Sequence, residues 1–304
     1  MPNTLGTTNA GVIAQEALKQ LAAALPILGQ IASDHTQDGA KFNETITVHE
    51  VTAAAAADFD PETGYVASAR TITDIPVTIN KHKHHTYSVN VQEASSSRVD
   101  LIKRLGLNAA YSIGSAVVAD LCALITKASF TNETVIALGA GGDGFSRKGA
   151  VKLGTALSKR GVPGINRFAL LNADYFGSLS MDDSLMNLIA LTGGRAATDG
   201  NLPLVHKIAF SEFVDLPKNN GNLVGFAGAR TALAFATRIP DDPCQGQPGV
   251  NIQTVRDEDT GLALQVREWC NPDLAQFKRT YTLMYGVAKG QVAALERLVD
   301  AASA

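Results

Sequence analysis

Histidines cluster in the segment NKHKHHTYSVN (residues 80–90), which holds three of the six histidines of the chain, interleaved with lysines. Histidine is a common zinc ligand, and a zinc site needs three or four ligands around one point. On a strand, successive side chains point to opposite faces, so His82 and His84 share one face and His85 lies on the other. Unless His49 or a carboxylate joins them from across a hairpin, these residues predict a cationic strand rather than a metal site.

An acidic segment, DFDPETG (residues 58–64), has carboxylates at alternate positions, as at the start of a calcium-binding loop. The match then fails, because glycine falls one position late and the twelfth position is Ala69 rather than glutamate. The segment instead predicts a surface turn. We expect the cationic strand to meet acidic residues of a neighbouring molecule. The candidate intersubunit contacts are the cationic residues Lys81, His82, Lys83 and His84 and the acidic residues Asp58, Asp60 and Glu62.

A glycine-rich loop offers a different chemistry. Gly139, Gly141 and Gly144 match the pattern G-x-G-x-x-G between a predicted strand and a predicted helix, as in dinucleotide-binding folds. Such folds also place an acidic residue about 20 positions later, whereas the nearest candidate here, Asp174, lies about 30 positions on. A dinucleotide-dependent enzyme therefore remains an alternative, and a plain glycine loop is favoured.

No other pattern indicates catalysis. The sequence lacks a G-x-S-x-G elbow, an H-E-x-x-H zinc motif and a phosphate-binding P-loop, and His35 and His206 have no local partner that suggests a triad. Its three cysteines are far apart and lack C-x-x-C spacing, which indicates reduced thiols in a cytosolic setting. We expect no enzyme activity, no cofactor and no metal, and the balance favours a structural role.

Composition limits the partners. The 304 residues are 45% hydrophobic, enough for a substantial core, and the formal net charge is −3 with scattered basic residues. Such a chain offers no strong field for phosphate backbones or anionic lipid. Its start lacks the pattern of a signal peptide, and its longest apolar segment is interrupted by Asp120 and Lys127. We expect neither direct nucleic-acid reading nor a membrane span.

The elements that carry these residues can be read from periodicity. Apolar spacing predicts a helix over residues 9–25, and alternation predicts a hairpin that leaves from Phe42 and returns over residues 75–91. A single strand over 75–91 would be about 55 Å long, far beyond an ordinary strand. We expect this hairpin to project, and to leave an apolar side that only a second molecule covers.

A very long helix follows, from an N-cap at Ser97 to about Ala128, with a buried stripe through Ile102, Leu105, Ala109, Ile113, Ala116, Asp120 and Leu124. Mixed α/β structure comes next. The patterns predict strands at 134–138, 167–172 and 204–210, helices at 146–161, around 174–180 and at 228–238, strands through 250–254, 262–266 and 281–287, and a closing amphipathic segment, QVAALERLV.

Together these elements resemble the major capsid proteins of tailed bacteriophages in the Hong Kong 97-like fold, particularly the podovirus-like coat proteins. The resemblance covers roughly residues 42 to 298 and rests on DIPVTINKHKHHTYSVNV, NLVGFAGARTALAFATRIP and VRDEDTGLALQVREW followed by LMYGV. It implies an α+β fold with an N-terminal arm (1–40), an extended β-hairpin loop (41–93), a peripheral domain with a spine helix (94–129 and 246–304) and an axial domain (130–245).

The resemblance also implies partners and a place in the cell. Copies of the chain would assemble as hexamers and pentamers into an icosahedral head that encloses double-stranded DNA without sequence-specific binding. A separate scaffolding protein or none, a portal and decoration proteins are the other expected partners, and no large leader is expected to be trimmed. The protein would be made in the host cytoplasm and reside in the virion. A nanocompartment shell of the same fold is the alternative.

Overall fold

The structure is a computed structural model, and all structural statements below concern the residues it describes. These are residues 15–19, 27–34, 42–51, 58–59, 61–62, 64–65, 72–90, 92–93, 100–139, 142, 144–185, 202, 204–256 and 262–300.

The helices and strands form in the following order along the chain. They are α1 (Ile27–Gln30), β1 (Ala32–Asp34), β2 (Thr45–Val51), β3 (Ile72–Thr78), β4 (Lys81–Asn90), α2 (Asp100–Ala123), β5 (Glu133–Val135), α3 (Arg147–Lys159), β6 (Arg167–Leu171), α4 (Ala173–Ser180), β7 (Ile208–Glu212), β8 (Leu223–Ala229), β9 (Leu233–Arg238), β10 (Val250–Arg256), β11 (Ala263–Asn271), β12 (Gln276–Lys289) and β13 (Leu295–Val299). Short 3₁₀ turns precede β9 and β13.

A six-stranded sheet is built around the 14-residue strand β12, in the order β1-β9-β12-β11-β10 with β4 also paired to β12. Met284 and Tyr285 pair with both β4 and β9, so these two strands flank opposite edges of β12. All pairs are antiparallel except β1 with β9. The sheet places residues 81–90 of the sequence beside residues 276–285.

The long helix α2 covers one face of this sheet. Its 24 residues span about 36 Å at about 1.5 Å each. The predicted buried stripe is correct at Ala109 and Ile113, but farther along the helix Val117 and Leu121 are the buried residues. Ala116 and Asp120 lie one position away, at the border of the packed face, where Asp120 bonds polar groups of the sheet.

By length and composition alone, the part of α2 from Arg104 to Ala123 would suffice to cross a bilayer, with a mean hydropathy of 1.3. In this structure half of it is buried, and it packs with Tyr281 and Tyr285 of β12 in one apolar cluster. Apolar composition is what a core helix of this kind requires.

A buried ion pair lies inside the interface between α2 and the sheet. Arg279 of β12 bonds Glu268 of β11, and its Nη1 donates to the Tyr87 hydroxyl of β4 at 3.1 Å. Both charged side chains are almost fully buried. Losing one partner would leave an uncompensated buried charge, so the pair favours one register of three neighbouring strands.

The second sheet has five strands in the order β5-β13-β8-β6-β7. Apolar residues of α3, α4 and this sheet form a separate cluster that includes Leu153, Tyr175 and Leu179. Arg160, directly after α3, bonds Glu296 of β13 at 2.5 Å, and Thr134 of β5 donates to the same carboxylate at 2.6 Å. These bonds connect β13, near residue 300, to segments around residues 134 and 160.

The helix predicted over residues 228–238 is wrong. The segment forms the end of β8, a 3₁₀ turn (Arg230–Ala232) and β9. Every residue of β8 and β9 is buried, and up to Ala236 both faces of these strands carry apolar side chains or glycine. Periodicity alone cannot separate such a fully buried strand from a buried helix.

Other predicted elements are confirmed with changed ends. The helix at 146–161, the strand at 167–172 and the three C-terminal strands correspond to α3, β6, β10, β11 and β12. The strand at 204–210 begins only at Ile208, because His206 and Lys207 have positive φ angles of 50° and 65° and form a tight turn. Of the helix predicted at 9–25, residues 15–19 are described and helical. The proposed N-cap, Ser97, lies outside the described residues.

Candidate functional site

The cationic segment forms β4, an edge strand. Among the described strands it pairs with β12 alone, so its other edge has no strand partner. The register sets His84 opposite Thr282 and His82 opposite Met284, whereas His85 is opposite Tyr281. His82 and His84 therefore share one face and His85 lies on the other, as predicted from strand geometry.

Lys81 is engaged within its own chain. Its Nζ lies 3.0 Å from Oδ1 of Asp120 on α2, and the Tyr285 hydroxyl donates to Oδ2 of the same carboxylate at 2.5 Å. Burial by itself raises the pKa of Asp120, but the hydrogen bonds from Tyr285 and Lys81 and the charge of Lys83 outweigh it, so the pKa lies below its ordinary value. Burial and the same carboxylate raise the pKa of Tyr285.

The two histidines on the outer face line a cavity of about 320 Å³. His82 Nε2 lies 2.6 Å from the Thr282 hydroxyl. Burial, and then the neighbouring His84, lower the pKa of His82. The opposite wall carries Trp269, Arg267 and the loop that follows β9, where Asp242 bonds Arg267 at 3.1 Å. Within the described part of the chain, no group of three histidine, cysteine, aspartate or glutamate side chains is placed to hold a metal ion.

The hairpin of β2 and β3 lies over this same outer face, and here two expectations are wrong. Residues 75–91 are not one strand, because β3 ends at Thr78 and β4 begins at Lys81. The apolar side of the hairpin is covered by its own chain, since Val48, Ile75 and Val77 pack against Ala234, Ala236 and Met284 of the six-stranded sheet.

A glycine makes that packing possible. A Cβ on Gly286 of β12 would lie 2.2 Å from the carbonyl oxygen of Thr78 and 2.9 Å from Val77. The backbone of β3 therefore crosses β12 at a distance that no other residue permits. Small residues in β9, Ala234 and Ala236, leave room for Val77 and Ile79 beside this crossing.

Toward its tip, the hairpin exposes acidic and aromatic side chains. Asp58 and Glu62 are exposed, whereas Asp60, the third acidic candidate, lies outside the described residues. The rings of Phe59 and Tyr65 lie 4.9 Å apart and are 59% and 95% exposed. Exposed aromatic side chains of this size are typical of surfaces that bind another molecule.

A second cavity, of about 650 Å³, was missed by sequence reasoning. It lies at the end of the five-stranded sheet where β6 and β7 begin and is lined by three cationic side chains, Arg167, Lys207 and Arg230. None of the described residues that line it is a carboxylate. These residues are separated by 40 and 23 positions in the sequence, so no motif signals the cluster. Only the parallel pairing of β6 with β7 brings Arg167 and Lys207 together.

The glycine loop leads into α3, whose first amide is already bonded. The amide of Arg147 donates to Oδ2 of Asp182 at 2.6 Å, and the amide of Phe145 donates to the Ser178 hydroxyl at 3.0 Å. In a dinucleotide site, the pyrophosphate occupies the helix N-terminus. A phosphate here would meet the Asp182 carboxylate. Gly139 and Gly144 are described, whereas Gly141 lies outside the described residues.

The strand order also differs from a dinucleotide-binding unit. In that unit a strand, a helix and the next strand form neighbouring parallel partners. Here α3 connects β5 to β6, and β13 and β8 lie between these two strands. The glycine loop therefore connects strands whose order in the sheet differs from that of a dinucleotide-binding unit.

Comparison with known proteins identifies the fold. No family model matches the sequence, and no curated protein matches it. The chain is similar to a solved capsid structure of the cyanophage P-SCSP1u, with 12% identity over 90% of this chain and 87% of the other and a TM-score of 0.53. It is also similar to the mature capsid of bacteriophage PhiM1, with 11% identity over 91% and 87% and a TM-score of 0.54. The chain has the α+β fold of these phage capsid subunits.

Proposed function

We propose that the protein is the major coat subunit of a tailed bacteriophage, with the Hong Kong 97-like fold, and that its copies assemble into the icosahedral head that encloses double-stranded DNA. The observation that carries the proposal is the fold match over about nine tenths of the chain to two phage capsid subunits. The subunit would be made in the host cytoplasm and reside in the virion. Its role would be structural, without catalysis or a cofactor.

The domain plan follows the same proposal. Residues 1–40 would be the N-terminal arm, 41–93 the extended loop, 94–129 with 246–304 the peripheral domain, and 130–245 the axial domain. The long helix α2 suits the spine of the peripheral domain, because it packs on the six-stranded sheet. Each proposed domain contributes a strand to the sheet of the other. Strand β9, within residues 130–245, belongs to the six-stranded sheet, and β13, within residues 246–304, belongs to the five-stranded sheet.

Assembly would use surfaces that the single chain leaves open. The outer edge of β4 carries Lys83 and His84, which are exposed, and Lys81 and His82, which also bond within the chain. We propose these four residues as intersubunit contacts, with Asp58, Asp60 and Glu62 of the hairpin tip as acidic contacts. Heterologous contacts that repeat between copies close into rings and shells, and many modest interfaces then act together.

The net charge of the chain suits a shell that encloses DNA without binding it tightly. A net charge of −3 provides no general attraction for DNA, so the genome would be contained without sequence-specific binding. Its partners would be further copies of the chain, arranged in hexamers and pentamers, together with a portal, decoration proteins and either a separate scaffolding protein or none. The proposed function requires no membrane.

Expression and electron microscopy test the proposal. The full chain, produced together with any scaffolding protein, should form uniform hollow shells. A protein that stays a small monomer under these conditions would count against the coat function. Shells that contain protein cargo and no DNA, from a genome without terminase and portal genes nearby, would instead identify a nanocompartment.

A further inference from the structure

We propose that the acidic, aromatic tip of the hairpin of one copy docks into the cationic cavity at the start of β6 and β7 of a neighbouring copy. The tip is residues 58–65, and the cavity is the one lined by Arg167, Lys207 and Arg230. This contact rests on the proposed coat function and specifies where the extended loop binds.

Among the described residues, no carboxylate compensates the charge of the cavity. Arg167 is almost fully buried, and within that part of the chain its guanidinium donates to neutral acceptors, the carbonyls of Pro163, Gly154 and Val162 and the Ser158 hydroxyl. Burying a cation without an anion is costly, and a nearby carboxylate offsets that cost. Lys207 and Arg230 are exposed at the mouth and add positive charge. The cavity therefore favours an anionic occupant.

The backbone beside the cationic cavity is conformationally strained. Asn166, His206 and Lys207 have positive φ angles of 54°, 50° and 65°, a conformation that residues other than glycine rarely adopt. Strained backbone of this kind clusters at binding sites, where the surrounding structure imposes it. Close packing against Gly164 holds the Lys207 side chain, since a Cβ there would lie 3.2 Å from Lys207 Cδ.

The rim of the cavity selects the kind of anion. Ile165 and Leu204 both line the cavity and are 75% and 72% exposed. Phe59 and Tyr65 expose apolar rings beside the carboxylates of the tip, so the tip matches the cavity in both charge and apolar surface. A volume of about 650 Å³ is within the range of cavities that enclose ligands, about 300–1,000 Å³. A DNA phosphate would match the cations but not the apolar rim.

Cross-linking of assembled shells tests the contact directly. Shells grown from an equal mixture of isotope-labelled and unlabelled protein are treated with a carbodiimide, which joins carboxylates to lysines in contact. We expect peptides that link Asp58 or Glu62 to Lys207, half of them between labelled and unlabelled chains. Lys148, an exposed lysine on α3, is the internal control. Tip peptides joined to other lysines and not to Lys207, or joined only within one chain, would overturn the proposal.

Charge reversal gives an independent measurement. The double variant Lys207→Glu/Arg230→Glu should raise the protein concentration needed for shell assembly by about tenfold, because two ion pairs become repulsive at every contact. Adding Asp58→Lys/Glu62→Lys should restore much of the loss. The matched control, Lys148→Glu/Lys152→Glu, makes the same change in net charge at exposed positions of α3 and should assemble normally.

The outcomes separate this contact from the coat function. If the unaltered chain forms no shells, the coat function fails and the docking contact fails with it. If shells form normally from the Lys207→Glu/Arg230→Glu variant, only the docking contact is overturned. Normal assembly of that variant with weaker retention of DNA would assign the cavity to the genome instead.

Discussion

At the scale of single residues, the polar groups between α2 and the six-stranded sheet show how this fold uses charge. Asp120 interrupts an apolar helix, and the structure satisfies it with Tyr285 and Lys81. Lys81 was expected at a subunit contact because its sequence neighbours are cationic, yet it bonds a carboxylate that is 39 positions away. Sequence reasoning can identify such a charge but cannot find its partner.

Replacing Tyr285 by phenylalanine tests the importance of this bond. The Tyr285→Phe variant should lose roughly 1.5–3 kcal/mol in the free energy of unfolding, because the half-buried Asp120 carboxylate loses a hydrogen bond. Urea denaturation of the unassembled subunit measures the change. Tyr111→Phe, on the exposed face of the same helix, is the control and should change stability by less than about 0.5 kcal/mol. Equal effects of the two substitutions would contradict the assigned bond.

His82 predicts a pH dependence. The pKa of His82 is lowered from 6.5 by burial and then by His84, so the folded state favours the neutral imidazole. A lowered histidine pKa contributes stability above the unfolded value and loses it as the pH falls below 6.5 toward the folded pKa. In His82→Gln this loss is absent.

The measurement compares urea midpoints of the two proteins at about pH 7.5 and about pH 5.5, on either side of the histidine titration. His84, Asp241, Asp242 and Arg267 line the same cavity in both proteins, so the difference between the proteins isolates His82. The stability advantage of the unaltered protein over the variant should shrink at the lower pH. An advantage that stays constant or grows would show that the imidazole is not held neutral.

At the scale of elements, the hairpin shows why local pattern was informative but incomplete. Alternation correctly predicted the strands and which side of each is apolar. It could not show that β3 and β4 are separate strands, because the parity of Ile75 and Val77 resumes at Tyr87 and Val89 across the break. It also could not show that the apolar side of the hairpin returns to its own sheet. That contact depends on Gly286 and on small residues of β9, more than 150 positions away.

A single methyl group at Gly286 tests this contact. Gly286→Ala should destabilise the subunit by roughly 1–3 kcal/mol, because the new Cβ overlaps the carbonyl of Thr78 in the hairpin. The control is Gly177→Ala in α4, where a Cβ would meet nothing within 4 Å. That substitution should leave stability unchanged or raise it by up to about 1 kcal/mol, the gain in helix propensity. Thermal unfolding of both variants measures the difference. A Gly286→Ala variant as stable as the unaltered protein would contradict the close crossing of β3 over β12 at this glycine.

At the scale of the whole molecule, some surfaces of the hairpin and of β4 are packed within the chain and others are exposed. The base of the hairpin and the inner face of β4 are packed within the chain. The tip of the hairpin, the outer edge of β4 and the mouth of the cationic cavity are open. Assembly should therefore depend on the open parts, and folding on the packed parts.

Deleting residues 52–68 separates these two dependences. The deletion leaves β2 and β3 in place, so the subunit should keep its circular dichroism spectrum and cooperative unfolding. It should also assemble poorly, because the tip is lost. Electron microscopy and sedimentation measure the assembly. An unfolded deletion product would show that the tip belongs to the core of the subunit.

The amino-acid sequence by itself determined features that depend on local spacing. Strand parity placed His82 and His84 on one face, and apolar spacing predicted α2 and α3. The tertiary structure alone decided that residues 228–238 form the end of β8, a 3₁₀ turn and β9 rather than a helix, that the hairpin packs on its own sheet, and that Arg167, Lys207 and Arg230 line one cavity. The physical reason is distance along the chain. Periodicity reports which side of an element is apolar, whereas the partner of that side is chosen by packing between segments that the sequence keeps far apart.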